Sequence, residues 1–325
     1  MTQPITITPV QGLPEMAAGD DLAAAIVAVT DLRDGDVVVV AQKVVSKVEG
    51  AIVDVPAAPL GVDPRRAVAR SQAAQIVADA PEALIVRTRH GWVCANAGVD
   101  ASNVPDGRLS LLPDDPDASA RSLRAALKEQ AGVDVAVIVA DTFGRPWRMG
   151  QTDVAIGVAG MAPLRDERGG VDRQGEVLVV TTPAVADELA GAADLVRSKS
   201  DGVPVVVVRG FGYQATEAAA ATELVRPAAS DLFASGRGML AFALSEQDGP
   251  ATWDSGIGSY ELERVQMVAP SATVVHDGPP AVLSVADPFE AGLAAGVLAD
   301  FGLRVGWERT PQAILLRVGR PAESR

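Results

Sequence analysis

Short runs of valine and isoleucine alternate along this chain with alanine-rich stretches, and glycine, proline or aspartate stands at nearly every junction between them. Runs of β-branched residues are typical of strands, and runs that are apolar throughout are typical of central strands. Alanine-rich stretches with apolar residues three and four positions apart are typical of helices. The pattern therefore predicts a mixed α/β fold.

The same alternation locates the individual elements. Strands are predicted at 5–9, 36–42, 84–87, 92–95, 133–140, 154–158, 177–181 and 205–209. Helices are predicted at 21–30, 64–78, 119–130, 184–196 and 215–225. The first of these helices begins behind two aspartates, which are favoured capping residues, and keeps Leu22, Ile26 and Val29 at helical spacing.

The length of 325 residues is enough for about two domains. A polar, glycine-rich stretch at 246–262 interrupts the apolar periodicity and predicts a linker between a domain at 1–245 and a small α/β segment at 263–325. Within that segment, strands are predicted at 271–275, 281–285 and 313–318, and a helix at 288–301. A segment this short is expected to be marginally stable alone.

The composition excludes several classes of protein. The chain has 28 Lys and Arg against 42 Asp and Glu, a formal charge of −14, which disfavours binding to nucleic acid and to anionic membrane surfaces. One cysteine, Cys94, and two histidines, His90 and His276, are too few for a disulfide framework or a zinc cluster. Without a leader-like segment at 1–16 or a long apolar span, a cytoplasmic protein is expected.

The most informative stretch is a predicted strand that runs directly into a carboxylate and a hydroxyl, within VDVAVIVADTFGRPWRMGQTDVAIG at 133–157. Asp141 and Thr142 are oxygen donors of the kind that Mg²⁺ or Mn²⁺ prefers, and Arg145 and Arg148 in a following loop could hold an anionic substrate. The alternative is that Asp141 caps a turn and that both arginines are solvated. The residue pattern alone leaves both interpretations open.

A second segment, CANAGVDASN at 94–103, places Asp100 and Asn103 after a short strand and a glycine turn. Asp100 could add charge to a site, and Asn103 could bind a polar edge of a ligand. An Asx-turn explains the same spacing, and it is the better interpretation of an isolated D-x-x-N. The segment gains weight only if it lies beside Asp141.

Two more segments could bind phosphate. Lys43 and Lys47 in QKVVSKVEG lie four residues apart and share a face in either a strand or a helix, and Gln42 precedes them. The loop at 197–202 is rich in small residues, which lets backbone N–H groups approach a phosphate. Solvated lysines and an ordinary helix-to-strand loop are the alternatives.

Other catalytic motifs are weak or missing. Gly210 opens a G-x-G-x-x-A sequence that suits an NAD-binding oxidoreductase, but no acidic residue ends a predicted strand about twenty positions later. The chain has neither a G-x-x-x-x-G-K-[ST] phosphate loop nor a G-x-S-x-G serine motif. Cys94 stands in an apolar strand without a nearby histidine and is given no catalytic role.

Six motifs in order resemble one family. They are GLPEM at 12–16, QKVVSKVEG at 42–50, CANAGVDASN, LLPDDPDASA at 111–120, ADTFGRPWRMGQTDVAIG at 140–157 and ADLVRSK at 193–199. Together they resemble the coenzyme F420-0:L-glutamate ligases over about residues 4–245, most closely the actinobacterial branch. The resemblance implies a mixed α/β fold with large, mostly antiparallel sheets and an intertwined homodimer.

The resemblance also implies an activity. Members of the family are GTP-dependent ligases that add L-glutamate to the lactyl carboxylate of coenzyme F420-0, and then further glutamates in γ-linkage. The γ-phosphoryl group of GTP would activate the carboxylate as an acyl phosphate, which the glutamate amine attacks. Two divalent ions, Mg²⁺ or Mn²⁺, are implied, with K⁺ as a further candidate.

By similarity, Asp100 and Asp141 would bind one metal ion, and Thr142 would contribute to a second. The positions that match the family's GTP-binding residues are Leu13, Pro14, Glu15, Met16, Gln42, Lys47, Asn103, Leu195, Val196, Arg197, Ser198, Lys199, Ser200, Asp201 and Gly202. Arg145 and Arg148 are assigned to the charge of substrate or transition state as a hypothesis. Arg197 departs from the family, because other members carry a side chain able to ligate the second metal there.

The C-terminal part is a further departure. Some actinobacterial relatives continue into a long flavin-binding, nitroreductase-like domain, and the segment after about residue 250 is too short for that fold, so no FMN is expected. A guanine-nucleotide-binding protein that has lost turnover remains an alternative, because Arg197 alters the implied second metal site. The NAD-binding oxidoreductase remains another.

Overall fold

A computed structural model describes residues 4–56, 63–79, 83–105, 107–197, 202–227, 253–255, 259–278, 280–300 and 303–321 of the protein. Contacts divide the chain into two units, which fall within 1–76 together with 80–225 and within 77–79 together with 226–325. Each unit has its own cluster of buried apolar side chains. The structure is mixed α/β with mostly antiparallel strands, as the sequence predicts.

The first unit contains most of the regular elements. Its strands are β1 (Thr6–Pro9), β2 (Val37–Ala41), β3 (Ile52–Asp54), β4 (Ala73–Asp79, which ends in the second unit), β5 (Leu84–Thr88), β6 (Val93–Ala95), β7 (Arg108–Ser110), β8 (Ala136–Arg145), β9 (Arg148–Met161), β10 (Val205–Arg209) and β11 (Ala215–Thr216). Its helices are α1 (Leu22–Val29), α2 (Gln42–Val48), α3 (Pro64–Ser71), α4 (Pro116–Ala131) and α5 (Val185–Asp194).

Six strands form the main sheet, in the order β1-β10-β2-β8-β9-β11. β2 and β8 are parallel, and every other neighbouring pair is antiparallel. The valines of β2 and β10 and the whole of Ala136–Ala140 in β8 are buried, which is why these runs carry no polar alternation. Ala41 at the end of β2 pairs with Ala140 in β8, so the residues that follow them emerge at the same edge of the sheet.

Helices α1, α4 and α5 contribute their apolar faces to the main core. The Asp21 side chain accepts a hydrogen bond from Ala24 N at 2.9 Å at the start of α1, and Asp115 accepts one from Ala118 N at 2.9 Å at the start of α4. Helix α4 ends at Gly132, whose φ of 73° is the left-handed conformation that favours glycine at this position.

Two small sheets complete the first unit. β3 pairs with β7, and β4, β5 and β6 form a three-stranded sheet. A separate apolar cluster packs under them. An isolated bridge between Asp100 and Ser110 ties the loop after β6 to the end of β7, with backbone hydrogen bonds of 3.2 and 2.8 Å. This bridge fixes the position of Asp100.

The described part of the second unit contains five strands and two helices. Its elements are β12 (Trp253–Ser255), α6 (Ser259–Val268), β13 (Thr273–His276), β14 (Ala281–Val285), α7 (Pro288–Asp300), β15 (Arg304–Arg309) and β16 (Ile314–Pro321). β16 is antiparallel to β12, β14 and β15, and β13 pairs with β14. The predicted linker at 246–262 lies partly outside the described residues, and its described part contains β12 and the start of α6.

Three predicted elements of the first unit are wrong. The helix predicted at 64–78 ends at Ser71, and its second half is β4, because Ile76 packs against the small apolar cluster. The segment at 177–181 forms an isolated bridge between Val171 and Val177 and a few backbone hydrogen bonds to 167–170 but no regular strand, and Val179 and Val180 are exposed. The helix predicted at 215–225 is instead β11 followed by a 3-10 turn, Ala221–Leu224, whose Ala221 N–H donates to the Asp117 carboxylate at 2.9 Å.

The loop predicted to hold Arg145 and Arg148 is also different. β8 continues through Arg145 and β9 begins at Arg148, so the two strands form a long hairpin closed by Pro146 and Trp147. Trp147 has a φ of 56°, the left-handed backbone that a two-residue turn of this kind requires. Among the described residues, no helix combines the length and the apolar character needed to span a membrane.

Candidate active site

The candidate site lies where β8 leaves the buried part of the main sheet. Asp141 follows the buried run that ends at Ala140, and Thr142 comes next. Neighbouring side chains of a strand point to opposite faces, so Asp141 and Thr142 serve two different clusters of polar groups. Both clusters are assembled from segments distant in the sequence.

The Asp141 cluster contains Lys43 and Asp100. Helix α2 begins directly after β2 and carries Lys43, whose Nζ donates to Asp100 Oδ2 at 2.6 Å and to Ser102 Oγ at 2.6 Å. Ser102 also donates to Asp100 from its backbone N at 3.0 Å and from its hydroxyl at 2.7 Å. Ala41, just before α2, pairs with Ala140, just before Asp141, and the charges of Asp100 and Lys43 act on the Asp141 carboxyl, so the two predicted metal ligands lie in the same part of the first unit.

The pKa values of the two carboxyl groups in this cluster are shifted in opposite directions. Burial, with the negative charges of Asp153 and Asp100, raises the pKa of Asp141 to about 7, although a hydrogen bond from Thr142 N and the charge of Lys43 oppose it. Burial also acts to raise the pKa of Asp100, but hydrogen bonds from Lys43 and Ser102 outweigh it and hold that pKa well below its usual range. Asp100 is therefore ionised at neutral pH, and Asp141 is poised to titrate there.

The charge of Asp141 also acts on the thiol of Cys94. Burial and the charge of Asp141 raise the pKa of its thiol to about 12. A thiol with this pKa stays protonated at neutral pH and is a poor nucleophile. This agrees with giving Cys94 no catalytic role.

The Thr142 cluster contains Asp153 and Arg197. Thr142 is opposite Asp153 in the β8–β9 pairing, and its hydroxyl donates to Asp153 Oδ1 at 2.7 Å. The Arg197 guanidinium forms an ion pair with Asp153 Oδ2 and donates to the carbonyl oxygen of Pro204 at 3.4 Å. The side chains of Arg197 and Asp153 are only 8% and 2% exposed.

Several predicted nucleotide-binding residues lie on or near α2. Lys47 pairs with Glu15, so two of the predicted positions meet. Met16 is buried in the main core, Leu13 is half-buried and packs against the same core, and Pro14 is exposed. These placements leave the predicted roles of the segment open.

Gln42 is placed differently from a ligand-binding side chain. It is 2% exposed, and its Nε2 donates to Ser46 Oγ at 2.5 Å and to the carbonyl oxygen of Leu111 at 2.8 Å. Both amide hydrogens are therefore engaged inside the protein. In the structure, this side chain anchors α2 to the segment at Leu111.

The remaining predicted nucleotide positions lie in two loops. Asn103 is exposed, with a left-handed φ of 55°. Leu195 is 84% exposed, Val196 is half-buried, and Gly202 is exposed with a φ of 63°. Ser198, Lys199, Ser200 and Asp201 lie outside the described residues.

Arg145 and Arg148 lie toward the end of the β8–β9 hairpin. Arg145 Nη2 donates to the carbonyl oxygen of Met149 at 3.1 Å, and Arg148 is exposed. The hairpin continues beyond the two polar clusters, with Arg145 at the end of the strand that carries Asp141 and Arg148 at the start of its partner strand β9. Their predicted role in holding substrate charge stays a prediction.

The donor set of the site fits a hard divalent cation. Asp100, Asp141, Asp153 and Thr142 offer oxygen atoms only, which is what Mg²⁺ and Mn²⁺ prefer. Among the described residues, no group of three or more His, Cys, Asp or Glu is placed to hold a metal by itself. A site with one or two carboxylates is typical of Mg²⁺ bound together with substrate phosphates.

Two polar residues of the site, Lys43 and Asp153, were not among the predicted metal ligands. Lys43 was grouped with Lys47 for its spacing alone, and its pairing with Asp100 depends on a contact across 57 residues. Asp153 follows the polar residues at 150–152, and it stands just before the strand predicted at 154–158, in what was predicted to be a loop. Its place opposite Thr142 becomes visible only once 142–153 is recognised as a hairpin.

The dinucleotide-binding alternative lacks its structural context. The G-x-G-x-x-A sequence at Gly210 follows β10, but it leads into β11 and not into a helix. β10 is antiparallel to both of its neighbours, whereas the motif requires a strand, a tight turn and a helix in a parallel unit. A Cβ atom on Gly210 would lie 2.4 Å from the Pro4 carbonyl oxygen, so close packing explains this glycine. The oxidoreductase interpretation is therefore wrong.

Comparison with known proteins gives consistent matches to the first unit. The model of a family described as F420-0:Gamma-glutamyl ligase matches residues 12–210. The coenzyme F420:L-glutamate ligase of Methanothermobacter thermautotrophicus is 41% identical over an alignment of 248 residues that covers 70% of this chain and 98% of that protein. The protein of the same name from Methanopyrus kandleri is 44% identical over 220 residues, 64% of this chain and 87% of that protein. The one from Halorubrum lacusprofundi is 45% identical over 223 residues, 63% and 86%.

Proposed function

Because the chain belongs to the F420-0:gamma-glutamyl ligase family and is a ligase, we propose that it joins L-glutamate to coenzyme F420-0, and then further glutamates in γ-linkage, at the expense of GTP. The relatives' printed names supply the acceptor and the amino acid. GTP as the energy source is part of the proposal.

The observation that carries this proposal is the meeting of Lys43, Asp100 and Asp141 at one edge of the main sheet. The three residues come from α2, from the loop after β6 and from the middle of β8, just after its buried run. This edge lies where the parallel pairing of β2 and β8 ends, at Ala41 and Ala140, and ligands commonly bind beyond the carboxyl ends of parallel strands. Lys47 on the same helix adds a second cationic side chain for a polyphosphate.

The reaction proposed for this site has two steps. An oxygen of the acceptor carboxylate attacks the γ-phosphorus of GTP, the bond between that phosphorus and the β,γ-bridging oxygen breaks, and GDP leaves. The glutamate amine then attacks the carbonyl carbon of the acyl phosphate, loses a proton, and inorganic phosphate leaves as the amide forms. Catalysis of both steps depends mainly on positioning and on charge neutralisation.

The residues of the chain have separate tasks in this scheme. A Mg²⁺ or Mn²⁺ ion held by Asp100 and Asp141 would neutralise phosphate charge as a Lewis acid. Lys43 holds Asp100 in place and keeps it ionised. Lys47 offers an ammonium group to phosphate, and Arg145 and Arg148 offer guanidinium groups to the anionic acceptor. These positive groups offset the net charge of −14 locally.

The proposal includes a homodimer, a cytoplasmic location, and no bound FMN. Trp147 is 79% exposed and Met149 is 95% exposed on the β8–β9 hairpin, which leaves apolar side chains for a second copy to cover. The second unit has two described helices and five strands, and we propose no flavin for it. Purified protein with a flavin absorption spectrum would contradict that part of the proposal.

A coupled assay tests the activity directly. The protein is incubated with F420-0, L-glutamate, GTP and Mn²⁺ or Mg²⁺, and the mass of the cofactor and the release of GDP are followed together. We expect a mass increase of one or more glutamyl residues that depends on GTP. Asp141→Asn should lose this increase, whereas Glu49→Gln, a change at an exposed carboxylate, should keep it.

The outcomes separate the proposal from its alternatives. A folded protein that is stabilised by GTP but releases no GDP with both substrates present would be a nucleotide-binding protein without turnover. GDP release without a change in cofactor mass would point to a different acceptor. Full activity of Asp141→Asn would contradict the placement of the active site.

A further inference from the structure

The Arg197–Asp153 ion pair is the feature of the candidate site that the proposed reaction does not use. Both side chains are buried, at 8% and 2% exposure, and Asp153 lies opposite Thr142 across the hairpin. A carboxylate this buried requires a positive partner, because an unpaired charge in such surroundings is costly. Arg197 provides that partner from the segment that follows α5.

Both oxygens of Asp153 are already engaged. Oδ1 accepts from the Thr142 hydroxyl at 2.7 Å, and Oδ2 lies against Arg197 Nη2. Arg197 Nη1 also donates to the carbonyl oxygen of Pro204 at 3.4 Å, just before β10. The guanidinium group thus holds a fixed position on the Thr142 side of β8.

The charges of the two clusters also indicate that the Thr142 side is already neutralised. Three carboxylates, from Asp100, Asp141 and Asp153, meet two fixed cations, Lys43 and Arg197. Asp100 and Asp153 are each in an ion pair, whereas among the described residues no ion pair joins Asp141. One negative charge therefore remains for an added cation, and it lies on the Asp141 side.

We propose that the Arg197 guanidinium supplies the positive charge on the Thr142 side of β8, so that this chain binds one divalent ion, at Asp100 and Asp141, where the family resemblance implies two. The inference rests on the proposed function, because it concerns the cations of that reaction. Arg197 acts here through Asp153 and Thr142, and it is a positioning residue.

The number of bound ions is measured directly. Mn²⁺ bound per chain is determined by equilibrium dialysis at a saturating, fixed concentration of a non-hydrolysable GTP analogue, with the protein-free compartment as the reference. The electron paramagnetic resonance spectrum of the complex is recorded in parallel, since two neighbouring Mn²⁺ ions broaden each other's lines. We expect one ion per wild-type chain and an unbroadened six-line spectrum.

Substitutions identify the group responsible for this count. Arg197→Met frees the Asp153 carboxylate, and we expect it to bind two ions with a broadened spectrum. The double substitution Arg197→Met with Asp153→Asn should return the count to one. Arg209→Met is the matched control, because it removes the partner of Asp36, a carboxylate that is 0% exposed in a different part of the sheet, and it should leave one ion.

Each outcome decides the inference. Two ions in the wild type, or one ion in a folded Arg197→Met protein, would overturn it. If a variant does not fold, as judged by circular dichroism, the wild-type count decides alone. A wild type that ligates glutamate but holds two ions contradicts this inference only, whereas one that holds a single ion and adds no glutamate contradicts the proposed function only. A wild type that holds none contradicts both.

Discussion

The ionised form of the Asp141 carboxyl group disfavours the folded state. Its pKa is raised from 3.8 to about 7, first by burial and then by neighbouring negative charge. A carboxyl group whose pKa is higher in the folded state than in the unfolded state favours folding at low pH, and that contribution is lost as the pH rises toward the folded pKa. A cation bound to Asp141 would instead favour the ionised carboxylate in the folded state and so stabilise the fold at neutral pH.

The first prediction follows from this sign. Without metal, we expect Asp141→Asn to be more stable than the wild type at pH 8, on the order of a few kcal/mol, and the difference to shrink toward zero near pH 4, where the wild-type carboxyl is protonated. Thermal unfolding in EDTA across this pH range measures it. Glu49→Gln should show no such trend, and an Asp141→Asn protein less stable than the wild type at pH 8 would contradict the prediction.

The second prediction concerns the two arginines of the hairpin. Removing a charged hydrogen-bond donor to an anionic substrate costs about 1.5–3 kcal/mol, so Arg145→Ala and Arg148→Ala should each lower kcat/KM for F420-0 by about tenfold or more. Steady-state kinetics with the acceptor varied at saturating GTP and glutamate measures the effect. Arg33→Ala, an exposed arginine paired with Asp31, is the control. Unchanged kinetics in both hairpin variants would remove them from the site.

At the scale of elements, α4 packs closely on β9, the strand that also carries Asp153. Asp117 at the start of α4 accepts hydrogen bonds from Val158 N at 2.8 Å and from Ala221 N at 2.9 Å, so one carboxylate joins a helix, a strand and a 3-10 turn. Burial raises the pKa of Asp117, although these two hydrogen bonds oppose it. Gly157 in β9 makes this approach possible.

The third prediction tests that contact. A Cβ atom on Gly157 would lie 2.2 Å from the carbonyl oxygen of Pro116, and backbone cannot yield as a flexible side chain can. We expect Gly157→Ala to lower the free energy of unfolding by about 1–3 kcal/mol, the range for overpacked sites. Chemical denaturation measures it against Gly212→Ala, where no atom lies within 4 Å. Equal stabilities of the two variants would contradict this packing.

At the scale of the whole molecule, large apolar side chains are exposed in several segments of the first unit, two of which hold pairs of them. Trp147 and Met149 at the hairpin, and Val179 and Val180 in the segment before α5, are each at least 74% exposed. Exposed apolar side chains are common singly, but groups of them mark interaction surfaces. The homodimer proposed for this family member would cover the hairpin.

The fourth prediction is the oligomeric state. We expect the wild type to sediment as a dimer, and Trp147→Ser combined with Met149→Ser to weaken dimerisation by about a hundredfold or more, since two large apolar side chains would lose their burial. Sedimentation velocity over a range of protein concentrations measures this. Val29→Ser, at another exposed apolar position, is the control. A wild type that stays monomeric throughout that range would refute the prediction.

The sequence by itself determined the mixed α/β class and most of the central elements. The valine-rich runs that became β2 and β10 are apolar on both faces, and only a buried strand suits such a pattern. It also raised Asp141 as a candidate ligand by residue type, and the family resemblance added Asp100 and assigned both to a metal ion. Which cations and nucleotide these residues bind stays a prediction.

Only the tertiary structure decided which distant groups meet. Helical propensity at 64–78 and 215–225 gave way to β4 and to a 3-10 turn, because packing and a hydrogen bond to Asp117 outweigh local preference. Likewise, Lys43 meets Asp100, and Arg197 meets Asp153, through strand pairing and helix placement that local patterns do not encode. The energy of these contacts depends on burial and register, and both exist only in the folded chain.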